Sequence, residues 1–160
     1  MKIKKTTGSA GETRALAAEL ARGLKGGEVI SLSGPLGAGK TVFVQGLARG
    51  LGISEKEVRS PSFVILNEYP GRLPLFHFDF YRLRSAAELA TVPFRERLAQ
   101  KGVVVMEWPE RAAGLLPAGL IRIEIRVLDR TRREIGIERP ARTQKRRLST
   151  AARKSGALKR

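Results

Sequence analysis

Residues 34–41, Gly34-Pro35-Leu36-Gly37-Ala38-Gly39-Lys40-Thr41, bring together the residue types that hold a polyphosphate. They match G-x-x-x-x-G-K-[ST], the phosphate-binding loop, at every fixed position. Gly34, Gly37 and Gly39 let the backbone take positive φ and bring N–H groups close to phosphate oxygens. A helix starting near Lys40 would aim roughly half a positive charge at the same place. Lys40 would reach the β- and γ-phosphates, and Thr41 would offer its hydroxyl to Mg²⁺. The spacing predicts a bound nucleoside triphosphate. Hydrolysis asks for more: a carboxylate at the end of a neighbouring buried strand for the metal, and a group that positions the attacking water. Two acids have that context. Glu107 directly follows the apolar run Val103 to Met106, the layout of a Walker B element; the competing reading is a surface acid capping the turn at Pro109. Asp79 follows Phe76 and Phe78 in another candidate strand, either as a hydrolytic acid or as a structural partner of Arg82 or Arg84.

Elements to position these groups are readable around them. Ile3 to Thr6 suits a short edge strand. Ser9-Ala10-Gly11-Glu12 reads as a capping box, with Leu16, Leu20 and Leu24 following at helical spacing and Gly26-Gly27 predicted to end the helix. Glu28 to Ser33 is the strand into the loop, and Thr41 to Leu51 the helix out of it. After the polar turn Val58 to Phe63, bent at Pro61, Phe63 to Tyr69 and Leu75 to Phe80 are predicted as strands of a hairpin joined by Pro70-Gly71-Arg72. Ser85-Ala86-Ala87-Glu88 is a second capping box, opening a helical stretch that Pro93 interrupts and that runs to about Gln100. Val103 to Met106 is continuously apolar, as a strand buried on both faces would be. A loop is expected around Gly114 to Pro117. Leu120 to Leu128 alternates apolar and charged residues like a half-exposed antiparallel strand, and Glu134 to Glu138 is a last short strand.

Length and composition bound the rest. At 160 residues and 42% hydrophobic content the chain suits one soluble globular domain. No apolar run approaches the ~18 residues of a membrane span, and no apolar segment follows the basic start Met1 to Thr6, so neither membrane nor leader is expected and the predicted address is cytoplasmic. Without cysteine there is no disulfide or thiolate metal site, and the single histidine, His77, excludes multi-histidine sites. Any metal should be a hard, oxygen-bound cation. His77 reads as a structural, hydrogen-bonded histidine ahead of a base, and Trp108 as core or interface packing ahead of a ligand platform. The charge of +16 is uneven. Of 31 Lys and Arg, nine fall in residues 139–160, where there is no acid; that leaves 22 against 15 acids in residues 1–138. Residues 1–138 are therefore predicted as the folded domain, and 139–160 as a basic, disordered tail with too little apolar surface to offset its ordering entropy. Such a tail would either attract RNA through counterion release or serve only solubility.

Taken together, the loop, Ser60-Pro61-Ser62-Phe63, His77-Phe78-Asp79-Phe80-Tyr81-Arg82-Leu83 and Glu107-Trp108-Pro109-Glu110 resemble the TsaE (YjeE) family, the small ATPase of bacterial tRNA threonylcarbamoyladenosine (t6A) synthesis. The likeness spans roughly residues 5–138. It implies an ATP-binding α/β domain, a P-loop NTPase-like three-layer fold with a central mixed sheet flanked by helices. It also implies two partners, TsaB and TsaD. In that system TsaD transfers the threonylcarbamoyl group to the adenosine beside the tRNA anticodon, while the TsaE member hydrolyses ATP and supports turnover. Carried over by motif, Gly37, Ala38, Gly39, Lys40, Thr41 and Val42 bind phosphates, and Thr41 with Glu107 holds Mg²⁺. Asp79 becomes the hydrolytic or assembly-critical acid, acting beside Lys40. Ala10, at the first helix start, and Arg132, in the last turn, fall where the family contacts the nucleotide; by itself Arg132 reads equally as a solvent-facing residue. Ser62 stands where the family commonly has threonine and Phe80 where it often has leucine, and the basic tail has no counterpart.

Two other classes share the loop. A small-molecule kinase is the main alternative, but no arginine-rich lid follows the central strands. A GTPase would need an N-K-x-D motif, which the chain lacks, and a D-x-x-G turn where Asp79-Phe80-Tyr81-Arg82 stands. ATP is therefore the expected nucleotide.

Overall fold

Alternating side chains sort the strands onto two faces of one sheet, and the helices cover each face by what that face offers. The computed structural model describes residues 1–141. Its elements run β1 (Lys2–Thr7), α1 (Ala10–Arg22), β2 (Val29–Ser33), α2 (Lys40–Gly50), β3 (Leu66–Tyr69), β4 (Leu75–Asp79), α3 (Ala86–Leu89), α4 (Phe94–Leu98), β5 (Val103–Glu107), β6 (Ile121–Val127) and β7 (Arg133–Glu138). The seven strands lie in the order β1-β7-β6-β2-β5-β4-β3. The four central strands, β6, β2, β5 and β4, are parallel. The outer pairings β7–β6, β1–β7 and β3–β4 are antiparallel, so the sheet is mixed.

On one face Ile30, Leu32, Val103, Val105, Ile123 and Ile135 pack under α1 and α2. On the other Phe76, Phe78, Val104 and Met106 pack under α3, α4 and the 3₁₀ segment Pro109–Leu115. Phe78, Phe80 and Phe94 meet there with ring centroids 5.2–5.8 Å apart, two of the three pairs edge-to-face. These are the three layers of an α/β fold. α1 and α2 come unusually close because Gly46 and Gly50 face Ala17, Ala18 and Ala21. A Cβ on Gly46 would sit 2.4 Å from the Arg14 carbonyl oxygen, and one on Gly50 2.4 Å from that of Ala18.

Several boundaries differ from the sequence expectation for local reasons. α1 stops at Gly23, where the N–H groups of Gly23 and Leu24 turn back to the Leu20 and Ala21 carbonyls, rather than at Gly26-Gly27. The two later glycines form a separate turn, where the Glu28 carboxylate accepts from the N–H groups of Lys25 and Gly26. β3 begins at Leu66, not Phe63, because Val64 and Ile65 donate back to the Pro61 carbonyl and close a turn. Ile65 completes that turn at φ 69°, a conformation β-branched residues rarely adopt. Phe63 and Val64 are thereby turned outward, 82% and 61% exposed. At the first capping box Ser9 Oγ accepts from Glu12 N–H at 3.1 Å, while the Glu12 carboxylate reaches Gly8 N–H at 2.6 Å. The second is half formed: Glu88 accepts from Arg84 N–H, but Ser85 makes no side-chain cap. The 3₁₀ segment Pro109–Leu115 takes in Gly114 and Leu115, so the loop expected from Gly114 to Pro117 starts only at Leu116.

Arg139 exchanges backbone hydrogen bonds with Met1, so strand pairing continues one residue past Glu138. Most of the expected basic tail, residues 142–160, lies outside the described residues. Among those described, no helix is long and apolar enough to cross a membrane.

Candidate nucleotide site

β2 delivers the chain to the glycine-rich loop at the C-terminal edge of the parallel strands. Gly37 (φ 76°) and Gly39 (φ 104°) both take left-handed conformations, the second as the N-cap of α2. That turns the first N–H groups of an 11-residue helix toward the loop's concave side. Arg133, at the start of β7, pins the loop from behind, its Nε donating to the Ala38 carbonyl at 2.9 Å. Lys40 is nearly buried and folded inward. Its Nζ donates to the Gly34 carbonyl at 2.7 Å and the Pro35 carbonyl at 3.0 Å, and lies 4.3 Å from the centre of the Trp108 ring. Burial pushes its pKa below the ordinary lysine value, and the negative charges of Glu107, Asp79 and Glu110 only partly restore it.

The two acids arrive opposite this lysine by strand register. Asp79 and Glu107 are direct neighbours across the parallel pair β4–β5, and Glu107 also pairs with Leu32 on β2, one residue before Ser33 at that strand's end. Both are buried. Asp79 does not pair with Arg82 or Arg84. Its Oδ2 accepts from Ser60 Oγ and Ser62 Oγ, each at 3.2 Å, and its Oδ1 from Tyr81 N–H at 2.9 Å. Arg82 instead lies over Phe63. Glu107 accepts from His77 Nε2 at 2.9 Å through Oε1.

A cleft of about 270 Å³ runs between these groups. Gly39, Lys40, Thr41 and Val42 form one side of it, and Ser60, Ser62, Asp79, Glu107 and Trp108 the other. Beyond Gly37, Gly39 and Val42 a second hollow of about 400 Å³ opens, bounded by Ala10, Thr13, Ala38, Arg130, Thr131 and Arg133. The loop thus separates a charged cleft from a less polar one, the division a nucleotide's phosphates and base require. Of the residues singled out by sequence, Lys40, Thr41, Asp79 and Glu107 gather in the first space, Ala10 and Ala38 border the second, and Gly37, Gly39 and Val42 border both. Arg132 is not drawn in: its side chain is held by Asp129 at 2.6 Å, and its neighbours Arg130 and Thr131 line the hollow instead. That ion pair keeps the Asp129 carboxyl well below the usual carboxylate range.

Every polar group offered to the first cleft by Thr41, Ser60, Ser62, Asp79 and Glu107 is an oxygen, the donor chemistry of a hard cation. Among the described residues no three acids or histidines converge to cage a metal by themselves. That suits Mg²⁺, which keeps most of its shell as phosphate oxygens and water. The residues therefore fit a metal that arrives with a nucleotide.

Two participants carry no distinct mark of the site in the sequence. Arg133 is one of several arginines in a polar turn, and nothing local distinguishes it. Trp108 reads as packing, and half of that holds, since the ring also borders the second core. Its left-handed backbone (φ 55°) immediately after Glu107 turns the indole toward Lys40, with Tyr81 4.9 Å behind it. The adjacency of Trp108 to the strand-ending acid is the available signal.

Comparison with known proteins identifies the family and the fold. Residues 7–135 match the family model of the threonylcarbamoyl adenosine biosynthesis protein TsaE. The chain belongs to the TsaE family. The tRNA threonylcarbamoyladenosine biosynthesis protein TsaE of Treponema pallidum is 45% identical over 129 residues, covering 81% of this chain and 95% of that protein. The TsaE of Bacillus subtilis is 41% identical over 125 residues, 78% of this chain and 77% of that one. The crystal structure of B. subtilis YdiB superposes with a TM-score of 0.74 at 36% identity, covering 86% of this chain and 84% of the other. The TsaE match spans all seven strands in part or whole and contains every residue of both hollows.

Proposed function

We propose that this TsaE-family chain is a Mg²⁺-dependent ATPase required for t6A modification of tRNA. It acts with TsaB and TsaD to sustain turnover of threonylcarbamoyl transfer to the adenosine beside the anticodon. The observation that carries the ATPase reading is the cleft in which Lys40 and Thr41 of the phosphate-binding loop face Asp79 and Glu107 from adjacent parallel strands.

In this reading the loop's N–H groups, from Gly37 onward, take the phosphate oxygens. Lys40 exchanges its bonds to the Gly34 and Pro35 carbonyls for bonds to the β- and γ-phosphates. Thr41 and Glu107 hold Mg²⁺, whose bound charge offsets that developing on the transferred phosphoryl group. Asp79 fixes the attacking water: with Tyr81 N–H and the Ser60 and Ser62 hydroxyls orienting its carboxylate, it presents a held acceptor rather than a mobile one. The base lies in the hollow between Ala10 and Arg130. Intrinsic hydrolysis is slow because the cleft stays open to solvent along the edge formed by Leu36 and Tyr81, both exposed, and a partner surface must close it. A protein serving tRNA in this way works in the cytoplasm.

Phosphate release tests the reading. Hydrolysis should require Mg²⁺ and should rise when TsaB and TsaD are added together; release that ignores both the metal and the partners would exclude it.

A further inference from the structure

His77 is fully buried on β4, at 0% exposure, and its environment satisfies only half of it. Nε2 donates to Glu107 Oε1 at 2.9 Å, while Nδ1 is buried without any hydrogen-bond partner. An imidazole that only filled space would be a poor choice here. Leucine or phenylalanine would occupy the interior without leaving a polar atom unmatched, an omission that costs stability in a packed core. What the histidine adds over an apolar residue is the single bond to Glu107.

That bond has a direction. His77 is two residues before Asp79 on β4, so both side chains leave the same face of the strand, and the register sets Asp79 beside Glu107 on β5. The Glu107 carboxylate is thus approached by His77 from within the sheet and borders the cleft on its other side. With Oε1 engaged by His77, the second oxygen is what Glu107 has left to offer the cleft.

We infer that His77 is a positioning residue for the metal: its Nε2–H fixes the rotation of the Glu107 carboxylate and presents one oxygen, already aligned, to the Mg²⁺ that arrives with the nucleotide. This rests on the reading of Glu107 as a metal ligand. Groups that orient a metal's ligands typically carry about 10- to 100-fold of the metal affinity, because a freely turning carboxylate must be ordered at the moment of binding.

The test is calorimetric and uses the full chain. Affinity for a non-hydrolysable ATP analogue is measured with Mg²⁺ and with EDTA, and the ratio of the two is the metal's contribution. His77→Leu and His77→Asn remove a donor that reaches Glu107, so the ratio should fall about 10-fold or more while affinity in EDTA, set by the loop and Lys40, stays as in the wild type. His77→Gln puts an amide N–H at nearly the reach of Nε2 and should restore most of the ratio. A purely structural histidine would shift melting temperature without this split between metal-bound and metal-free affinity. If the leucine variant does not fold, the comparison of Asn with Gln, one donor chemistry at two lengths, still decides. An unchanged ratio in the Leu or Asn variants, or no advantage of Gln over Asn, overturns the inference. Glu107→Gln separates the two levels. If that variant keeps the full ratio, Glu107 is not the ligand and the reading of the cleft fails; if it loses the ratio while the Leu and Asn variants keep it, only the role of His77 fails.

Discussion

Asp79 and Lys40 divide the work of the cleft between turnover and binding, and their surroundings say how each should respond to change. Asp79 is buried, yet its two oxygens are held by two hydroxyls and one backbone N–H rather than by a cation. Asp79→Ala should therefore leave ATP binding within a few-fold and lower hydrolysis by about 10²–10⁴, the usual share of a positioned acid–base group. Wild-type hydrolysis in that variant would show that another group directs the water. Lys40 carries a pKa lowered by burial. A bound triphosphate raises it again, so the complex holds more protons than the free protein in the interval between the two values. ATP affinity should consequently fall as pH rises through that interval, which begins below the ordinary lysine value. Binding titrations across alkaline pH, in buffers of different ionisation enthalpy, would detect the proton taken up; pH-independent binding throughout would refute the assignment. Lys40, Thr41, Asp79 and Glu107 are all legible in the sequence, because a fixed spacing or a strand-ending position marks them. Trp108, Arg133 and the Ser60–Asp79 hydrogen bond are not, since each depends on a long-range approach that local pattern does not encode.

At the scale of elements, α1 packs closely on α2, the helix that begins at the end of the loop. Gly46 has no room for a side chain: its Cβ would meet the Arg14 carbonyl and the Ala17 methyl at 2.4 and 2.7 Å. Gly46→Leu should separate the helices and destabilise the domain by about 1–3 kcal/mol, as overpacking does, read as a lowered midpoint in urea. An unchanged midpoint would mean that the helices do not pack this closely. Strands show themselves in sequence wherever burial is symmetric, as in Val103 to Met106, or strictly alternating, as in Ile121 to Ile125. The apolar pair Phe63-Val64 misleads for a physical reason. Its residues have strand propensity, but the turn closed on Pro61 takes the backbone first and leaves both side chains in solvent. Likewise Gly23 ends α1 before the more conspicuous Gly26-Gly27, because its N–H and that of Leu24 close three-residue turns on the Leu20 and Ala21 carbonyls.

For the whole molecule, the strands fix which end does what. β7 starts with Arg133 behind the phosphate loop and runs antiparallel to β6, so Arg139 emerges at the far end of the sheet, beside Met1. The eight cations of residues 142–160 are therefore joined to the domain away from the nucleotide cleft. If they add loose affinity for tRNA, truncation after residue 141 should weaken RNA binding and flatten its salt dependence by roughly 0.7–0.9 in log–log slope for each phosphate the tail neutralises, with ATP binding untouched. An unchanged slope would leave the tail no part in RNA binding. The central claim is that ATP turnover in this cleft keeps the modification machinery cycling. Its most direct test is reconstitution of tRNA modification by TsaB and TsaD over several turnovers, with ATP and Mg²⁺, comparing this chain with its Lys40→Ala variant. The wild-type chain should sustain repeated rounds and the variant should stall near the first; equal product from both, or none beyond the level without either, would contradict it.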